Sequence, residues 1–306
     1  MKPAPFSYHS PATVEETLAV LADLGADGKI LAGGQSLIPI LNMRLSSPPH
    51  LVDINRVGGL DTVTVDGVLR VGALARHAQV ERDERVRRSC PLLSRALALV
   101  AHPAIRNRGT LCGALAHADP ASELPGVLLL AGGSVEVARA GAPVREIPAA
   151  DFFVGPLESD LDTGDLIVAA RFPLLPPRTG TDFVEIARRH GDYALCGVGA
   201  MVAVDTDGLI TSARTVYIGA NPIALVLDLT EAVAGSRPES ASYAAAGRLA
   251  HDAVDPDPDI HASAEYRREL AAVLTERGLA AAATRAAAAG TQVAALPPDG
   301  SAGEAV

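Results

Sequence analysis

The sequence has few aromatic residues, few cysteines and no long apolar run. Among its 306 residues are five Phe, five Tyr and no Trp, so the core must consist mainly of Ala, Leu, Val and Ile. The three cysteines, Cys90, Cys112 and Cys196, form no CxxC motif. This excludes a disulfide scaffold and a zinc site made of cysteines. An iron–sulfur cluster normally needs four cysteine ligands, so this chain should not hold one by itself.

Basic residues are outnumbered, and no segment is apolar enough to cross a membrane. Lys plus Arg number 26 against 36 for Asp plus Glu, a formal net charge of −10, which argues against binding to nucleic acid. The uncharged, mostly apolar run of residues 193–204 is too short for a bilayer. The N-terminus has no apolar run behind it and does not resemble a signal peptide. We therefore expect a soluble, cytoplasmic protein, and the 48% of hydrophobic residues is enough for a sizeable core.

Hydrophobic periodicity predicts a mixture of helices and strands. A helix is expected over residues 13–24 with Thr13 as its N-cap, and another over 37–45 capped by Ser36. Residues 62–74 predict a β-hairpin that turns at Asp66 and Gly67. Further strands are predicted at 29–32, 50–55, 135–138, 144–147, 183–187, 200–205 and 215–220. Further helices are predicted at 91–101, 124–131, 229–234, 240–252 and 263–288.

The chain length corresponds to roughly two domains. Residues 173–182 contain three prolines and show no apolar periodicity, so the boundary is predicted there. The end of the chain, residues 297–306, has the composition of a disordered tail.

A first glycine loop, Ala32-Gly33-Gly34-Gln35-Ser36, lies between a predicted strand and a predicted helix. Paired glycines let the backbone approach a ligand closely and adopt positive φ. Consecutive N–H groups at such a turn form an anion site that suits a diphosphate. Taken alone, the motif is equally compatible with a tight turn that binds nothing.

A second loop, residues 110–114, also joins a small-residue turn to a helix start. Thr110 offers a hydroxyl, and Asp119 or Ser122 can cap the helix that follows. His117, Asp119 and Glu123 lie close together in sequence, but one histidine and two carboxylates at a helix start are more typical of caps than of a metal site. We predict no metal site.

A third segment, residues 188–193, places two arginines and Tyr193 beside a glycine turn. Such a segment is compatible with a solvated surface, or with an aromatic ring that stacks on a planar ligand.

Taken together, these stretches make the chain resemble the FAD-binding medium subunit of the molybdenum hydroxylases, which include aerobic carbon monoxide dehydrogenase and xanthine dehydrogenase. The resemblance extends from near residue 1 to about residue 288. Its most specific part is the combination, at this spacing, of the AGGQS loop (residues 32–36) with the T-x-x-G turn (110–113) and the AHADPA segment (116–121). The matching stretches are residues 29–45, 50–55, 105–125, 187–200 and 263–282.

The resemblance implies an α+β fold. A vanillyl-alcohol-oxidase-like FAD-binding domain over residues 1–176 would consist of two α/β subdomains, about 1–56 and 57–176. A C-terminal domain of a small antiparallel sheet plus helices would cover residues 177–288, followed by a disordered tail over 289–306.

The resemblance also implies a set of cofactor-binding residues. The two glycine loops would bind the FAD diphosphate from two sides, Glu123 would lie near the ribityl and adenosine part, and Asp192 and Tyr193 would lie beside the isoalloxazine. The implied FAD-binding residues are Lys29, Leu31, Ala32, Gly33, Gly34, Gln35, Ser36, Leu37, Val100, Gly109, Thr110, Cys112, Gly113, Ala114, Glu123, Leu161, Asp192 and Tyr193.

This sequence departs from the family pattern at three places. Cys112 stands where the family has the first of two glycines, which requires a negative φ or a shifted loop. Ala114 replaces the usual Asn or Ser. Val184 and Glu185 lie on the strand where the family often has a lysine, and loss of that positive charge disfavours an anionic reduced flavin.

The function implied is electron transfer within a larger complex. A large molybdopterin subunit would oxidise the substrate, and a small subunit with two [2Fe–2S] clusters would pass electrons to FAD, which would reduce an external acceptor. No catalytic nucleophile or base is expected in this chain. Two alternatives are a stand-alone flavoenzyme that acts directly on a small molecule and a structural subunit without flavin.

Overall fold

The computed structural model describes residues 2–239 and 241–294. The strands are β1 (Ser7–His9), β2 (Gly28–Leu31), β3 (His50–Asp53), β4 (Val63–Val65), β5 (Val68–Gly72), β6 (Ser134–Ala138), β7 (Arg145–Pro148), β8 (Phe153–Gly155), β9 (Glu158–Ser159), β10 (Leu166–Pro173), β11 (Thr179–Ala187), β12 (Ala194–Val204), β13 (Ile210–Ile218) and β14 (Leu225–Asp228). The helices are α1 (Val14–Leu24), α2 (Leu37–Asn42), α3 (His77–Arg82), α4 (Glu84–Ser89), α5 (Pro91–Leu99), α6 (Pro103–Arg106), α7 (Leu111–His117), α8 (Glu123–Ala131), α9 (Ala149–Phe152), α10 (Thr230–Val233), α11 (Ala244–Ala253) and α12 (Ala264–Ala294).

The N-terminal part is a parallel sheet in which β3 lies between β1 and β2. Helix α1 connects β1 to β2, and α2 connects β2 to β3. The Thr13 hydroxyl accepts a hydrogen bond of 3.1 Å from the Glu16 N–H, which confirms the predicted N-cap. Gly25, at φ +56°, ends α1.

The second sheet is antiparallel, with the strand order β4-β5-β10-β6-β7. The predicted hairpin is confirmed, because β4 pairs with β5 around Asp66 and Gly67. The predicted strands at 135–138 and 144–147 pair as β6 and β7. The central strand β10 was not predicted, and it is buried along most of its length.

The third sheet is antiparallel and contains β11, β12, β13 and β14 in chain order. On one face, Gly199 lies against Phe183, Val216 and Leu130 of α8. On the other face, Ala200 and Val198 lie against Gly278 of α12. The sheet is therefore covered by α8 on one side and by α12 on the other.

The predicted fold class is confirmed: helices and sheets are mixed, and the last part is a small antiparallel sheet with helices. The chain passes from the second sheet to the third through residues 174–178. Placement of a domain boundary near residue 177 stays a prediction. In residues 2–239 and 241–294, no helix is long and apolar enough to cross a membrane.

Several predicted boundaries were wrong. Helix α2 ends at Asn42 rather than at residue 45, and the Ser36 side chain makes no capping hydrogen bond, because its backbone is already helical at φ −98° and ψ −46°. The predicted loop 173–182 is shorter, since backbone pairing with β12 extends β11 back to Thr179.

The C-terminal predictions also need correction. Helix α11 begins at Ala244 rather than at residue 240, which itself lies outside the described residues. Residues 289–294 belong to α12 and not to a disordered tail, because the alanine-rich helix continues through them. The rest of the predicted tail, 295–306, lies outside the described residues.

Candidate functional site

A cleft of about 440 Å³ opens where the first glycine loop meets the segment before α7. It contains the predicted residues Leu31, Ala32, Gly33, Gly34 and Gln35. The remaining lining residues are Ile38, Pro39, Asn42, Asp53, Asn55, Ile105 and Arg108. One wall is thus the predicted loop, and the other comes from residues that the sequence reasoning did not select.

The first loop presents free backbone donors to this cleft. Within the described chain, none of the N–H groups of residues 33–36 donates a hydrogen bond. Gly34 adopts φ +74°, a conformation that glycine reaches without strain. The Gln35 amide donates to the Gly33 carbonyl at 3.2 Å and steadies the turn. Successive free N–H groups around a positive-φ residue form an anion-binding concavity.

The two predicted loops are in contact through small residues. A Cβ on Gly33 would lie 2.4 Å from the Arg108 carbonyl oxygen and 2.8 Å from the Gly109 Cα. A Cβ on Gly113 would lie 2.6 Å from the Thr110 hydroxyl and 4.0 Å from the Ala32 Cβ. Only glycine at position 33 permits this approach of the backbones, whereas a side chain at position 113 would crowd the Thr110 hydroxyl of its own loop.

Some N–H groups in and next to the second loop are already hydrogen-bonded. The Thr110 hydroxyl accepts from the Gly113 N–H at 3.2 Å and caps α7, while the Gly109 and Leu111 N–H groups donate to the carbonyls of Ile105 and Ala75. The Thr110 and Cys112 N–H groups donate no hydrogen bond within the described residues, so both loops keep open backbone donors.

A hydrogen-bond network joins the two walls. The Arg76 guanidinium donates to the Arg108 carbonyl at 2.6 Å and to the Asn55 side-chain oxygen at 2.5 Å. Asn55 in turn donates to the Ala32 carbonyl at 2.8 Å and to Asp53 at 2.5 Å. Asn55 and Arg108 lie within residues 50–55 and 105–125, two of the stretches that carry the resemblance. These stretches are the sequence signal from which the two residues could have been identified.

The third segment, residues 188–193, lies beside His102, which immediately precedes α6. A Cβ on Gly191 would lie 2.6 Å from the His102 ring, and the rings of His102 and His190 are 6.4 Å apart in an edge-on arrangement. Tyr193 is 61% exposed. Partial burial and the charges of Asp119 and Glu123 raise the pKa of Tyr193 to about 12. The structure thus brings Tyr193 to the start of α8.

Cys112 is buried in the core and does not line the cleft. Its φ is not positive, because the residue belongs to α7, and its thiol points towards the Val71 carbonyl at 3.8 Å. Burial raises the pKa of this thiol to about 12. The cysteine at the position of the family glycine therefore leaves the cleft open.

Other predicted residues lie apart from the cleft lining. Lys29 is exposed on β2, and Leu161, after β9, packs against the main core. Val100 follows α5, and its carbonyl accepts from Arg106 at 2.9 Å. Ser36 and Leu37 begin α2, Ala114 is in α7, and Asp192 precedes β12. For these seven residues, contact with a cofactor stays a prediction.

The predicted side-chain cap of α8 was wrong. The Ser122 side chain makes no capping hydrogen bond, and Asp119 accepts from the Ala121 N–H at 2.9 Å in the turn that precedes the helix. Among the described residues, the histidine and carboxylate group with metal-like spacing is instead His251, Glu265 and Glu269 on α11 and α12.

Glu185 and Val184 occupy opposite faces of β11. Val184 faces α12, where a Cβ on Gly278 would lie 3.7 Å from its side chain. Glu185 shares the α8-facing side with Phe183, because side chains alternate along a strand. Burial raises the pKa of Glu185 to about 7. Of the two departures on this strand, only Glu185 faces the cofactor-binding part predicted by the resemblance.

This arrangement fits a dinucleotide cofactor. The free N–H groups of residues 33–36 and the cation of Arg108 are donors for a diphosphate. The exposed ring of Tyr193 is available for stacking on a planar group.

The comparisons with known proteins agree with this fit. Residues 4–175 match the family model for the FAD binding domain in molybdopterin dehydrogenase, and residues 182–282 match that for the CO dehydrogenase flavoprotein C-terminal domain. The chain is 43% identical to the 6-hydroxypseudooxynicotine dehydrogenase complex subunit alpha of Paenarthrobacter nicotinovorans, with 94% of this chain and 97% of that protein covered.

Two further relatives are similar along their full lengths. The carbon monoxide dehydrogenase medium chain of Hydrogenophaga pseudoflava is 32% identical, with 94% of this chain and 100% of the relative covered. A chain in the crystal structure of quinoline 2-oxidoreductase from Pseudomonas putida 86 superposes with a TM-score of 0.88 at 37% identity, covering 94% of this chain and 100% of that chain.

The glycine-loop cleft, the match over both parts of the chain and the full-length relatives lead to one conclusion. This chain belongs to the family of FAD-binding medium subunits of the molybdenum hydroxylases, and it is an oxidoreductase subunit with FAD as its cofactor.

Proposed function

We propose that this chain transfers electrons between a partner iron–sulfur subunit and an external acceptor. The observation that supports this most directly is the cleft of residues 31–35, with free N–H groups on one wall and Arg108 on the other. When bound, FAD supplies the ability to exchange both single electrons and electron pairs. The protein binds the cofactor and orients it.

The partners follow from what the sequence lacks. All three cysteines, Cys90, Cys112 and Cys196, are buried and widely spaced in sequence, so the iron–sulfur centres belong to another chain. We therefore propose a complex with a small subunit that carries two [2Fe–2S] clusters and a large molybdopterin subunit. We also propose a cytoplasmic location, where free thiols such as these persist.

The residues of this chain hold the cofactor in place and take no covalent part. Thr110 and Gly113 fix the second loop, and the hydrogen bonds of Arg76 and Asn55 set the distance between the walls. No side chain is required as a nucleophile, because the redox chemistry resides in the cofactors.

The test is a purification of the complex from its source, followed by visible absorbance and rapid mixing with substrate. We expect flavin and iron–sulfur absorbance together, with iron–sulfur reduction preceding flavin reduction. A matched complex that contains the Gly33→Ala chain should keep iron–sulfur reduction by substrate and lose reduction of the external acceptor.

Two other results would contradict the proposal. Flavin in a chain that never co-purifies with partners would favour the stand-alone flavoenzyme. A complex that contains this chain without flavin would favour the structural subunit.

A further inference from the structure

Glu185 points into the junction between the third sheet and α8. In the strand register, Glu185 lies opposite Gly197, and Gly197 lies opposite Ile218. A Cβ on Gly197 would lie 3.3 Å from the Glu185 Cβ, and a Cβ on Gly126 of α8 would lie 2.8 Å from Ile218. Because Gly197 and Gly126 lack side chains, Glu185 reaches towards the N-terminal end of α8.

Glu123 enters the same junction from the helix. It is the first residue of α8, three positions before Gly126, and so lies on the same face of the helix. It is only 8% exposed. The Glu185 Oε2 atom is buried and has no hydrogen-bond donor among the described residues. A buried Glu123 and a half-buried Glu185 thus face one junction, with an oxygen of Glu185 left unpaired.

The groups named around this pair are anionic, uncharged or, in the case of Arg267, hydrogen-bonded to other acceptors. The negative charge of Asp119, in the α7–α8 connection, raises the pKa of Glu123. Tyr193, in the segment before β12, lies close to Asp119 and Glu123. From β12 and β13, the facing residues are Gly197 and Ile218. On α12, Arg267 donates to the Leu195 and Gly219 carbonyls and to Asp259.

Two buried carboxyl groups without a cation do not both ionise at neutral pH. Burial, then the charges of Glu185 and Asp119, raise the pKa of Glu123 to about 8. Burial raises the pKa of Glu185 to about 7. These directions agree with the geometry of the junction.

We propose that Glu123 and Glu185 share one proton at neutral pH, and that this proton is required for tight FAD binding. The inference rests on the proposed function, and it extends the anionic cofactor from the cleft towards Tyr193, which lies close to Glu123. Loss of the shared proton adds a second negative charge next to the diphosphate-bearing ligand. The pair acts on FAD binding by charge, and Glu185 is a positioning residue for the proton rather than a catalytic one.

The first experiment is a fluorescence titration of FAD into the FAD-free full chain between pH 6 and pH 9. For the native chain, we expect the affinity to fall by up to about tenfold per pH unit above the point where the pair loses its proton. In Glu185→Gln, this fall should be absent, because the single remaining carboxyl group cannot supply a second negative charge. The double variant Glu123→Gln with Glu185→Gln should show no such fall.

The matched control is Glu276→Gln, an exposed residue of α12 on the other side of the sheet. It should reproduce the native pH profile. A native-like fall in Glu185→Gln, or a persistent fall in the double variant, would overturn the proposal.

A second measurement does not depend on FAD. The infrared spectrum of the FAD-free chain at pH 7 should contain the C=O band of a protonated carboxyl group, and the double variant should lose it. If the band is present but FAD binds at no pH, the proposed function fails while the carboxyl pair stands. If FAD binds but the band is absent, the carboxyl pair is wrong.

Discussion

Arg76 and Asn55 are joined by a hydrogen bond of 2.5 Å from the guanidinium to the carboxamide oxygen. The same guanidinium holds the Arg108 carbonyl, and the same carboxamide holds the Ala32 carbonyl. This pair thus links the two walls of the cleft, which come from distant parts of the sequence. The width of the FAD site depends on these few polar contacts.

Replacing Arg76 with lysine should weaken FAD binding. A lysine cannot donate to two acceptors in the fixed geometry of a guanidinium, and loss of one charged hydrogen bond costs about 1.5–3 kcal/mol. We expect FAD affinity to fall roughly ten- to a hundredfold in a fluorescence titration. Arg82→Lys, at the end of α3, is the control, and equal affinities for the two variants would refute the role of Arg76.

Replacing Gly33 with alanine should separate the loops. The new Cβ would lie 2.4 Å from the Arg108 carbonyl oxygen, and such overpacking costs about 1–3 kcal/mol of unfolding free energy. We expect lower stability in denaturant and loss of bound flavin. Gly58→Ala is the matched control, because nothing lies within 4 Å of its added Cβ. A flavin-replete Gly33→Ala chain would show that the loops are not in contact.

Thr110→Val should destabilise α7 through loss of its N-cap. The hydroxyl accepts from the Gly113 N–H, and removal of such a cap costs about 1 kcal/mol. Thr110→Ser keeps the hydroxyl and should recover most of the stability. Chemical denaturation measures both, and equal losses in the two variants would mean that packing of the threonine methyl group matters instead.

The stability of the protein should fall in acid because of His77. This histidine is buried under the second loop, where a Cβ on Gly109 would lie 3.0 Å from its ring. Burial lowers the pKa of His77 to about 4. The unfolded chain therefore protonates this histidine near pH 6.5, whereas the folded chain protonates it only near pH 4. Stability is therefore lost as the pH falls from about 6.5 to about 4, by up to about 3 kcal/mol.

The variant His77→Gln provides the measurement. In denaturation curves recorded between pH 4 and pH 7, it should lose this part of the pH dependence while the remaining carboxylates keep theirs. Parallel curves for the native and variant chains would exclude His77 as the cause.

The cysteines should be inert in the folded protein. Burial raises the thiol pKa of Cys90 to about 11 and of Cys112 and Cys196 to about 12. We expect no reaction with a thiol reagent at pH 8 in native conditions and reaction of all three thiols after denaturation. Rapid labelling of Cys112 in the native state would place it at the cleft after all.

Local patterns in the sequence were sufficient for the elements that depend on neighbouring residues. The alternation around Asp66 and Gly67 identified the hairpin, and Thr13 identified the start of α1. The first glycine loop was also recognisable, because its composition determines its backbone. These features require no knowledge of distant contacts.

Long-range pairing could not be predicted in the same way. Strand β10 has no alternation, because side chains on both of its faces are buried. The face on which Glu185 lies depends on its register against Gly197, which no local pattern reveals. Arg76, Asn55 and Arg108 act through backbone carbonyls of other loops, and such partners leave no motif in the sequence.

The close fit of Gly126 against Ile218 has a consequence for exchanging segments between relatives. A side chain at position 126 would overlap Ile218, so these two positions form a complementary pair across the two halves of the chain. A chimera cut between residues 173 and 179 would inherit the glycine from one parent and its counterpart from the other. Only parents whose residues are complementary at both positions should yield a well-packed hybrid, which makes this junction a determinant of which halves can be recombined.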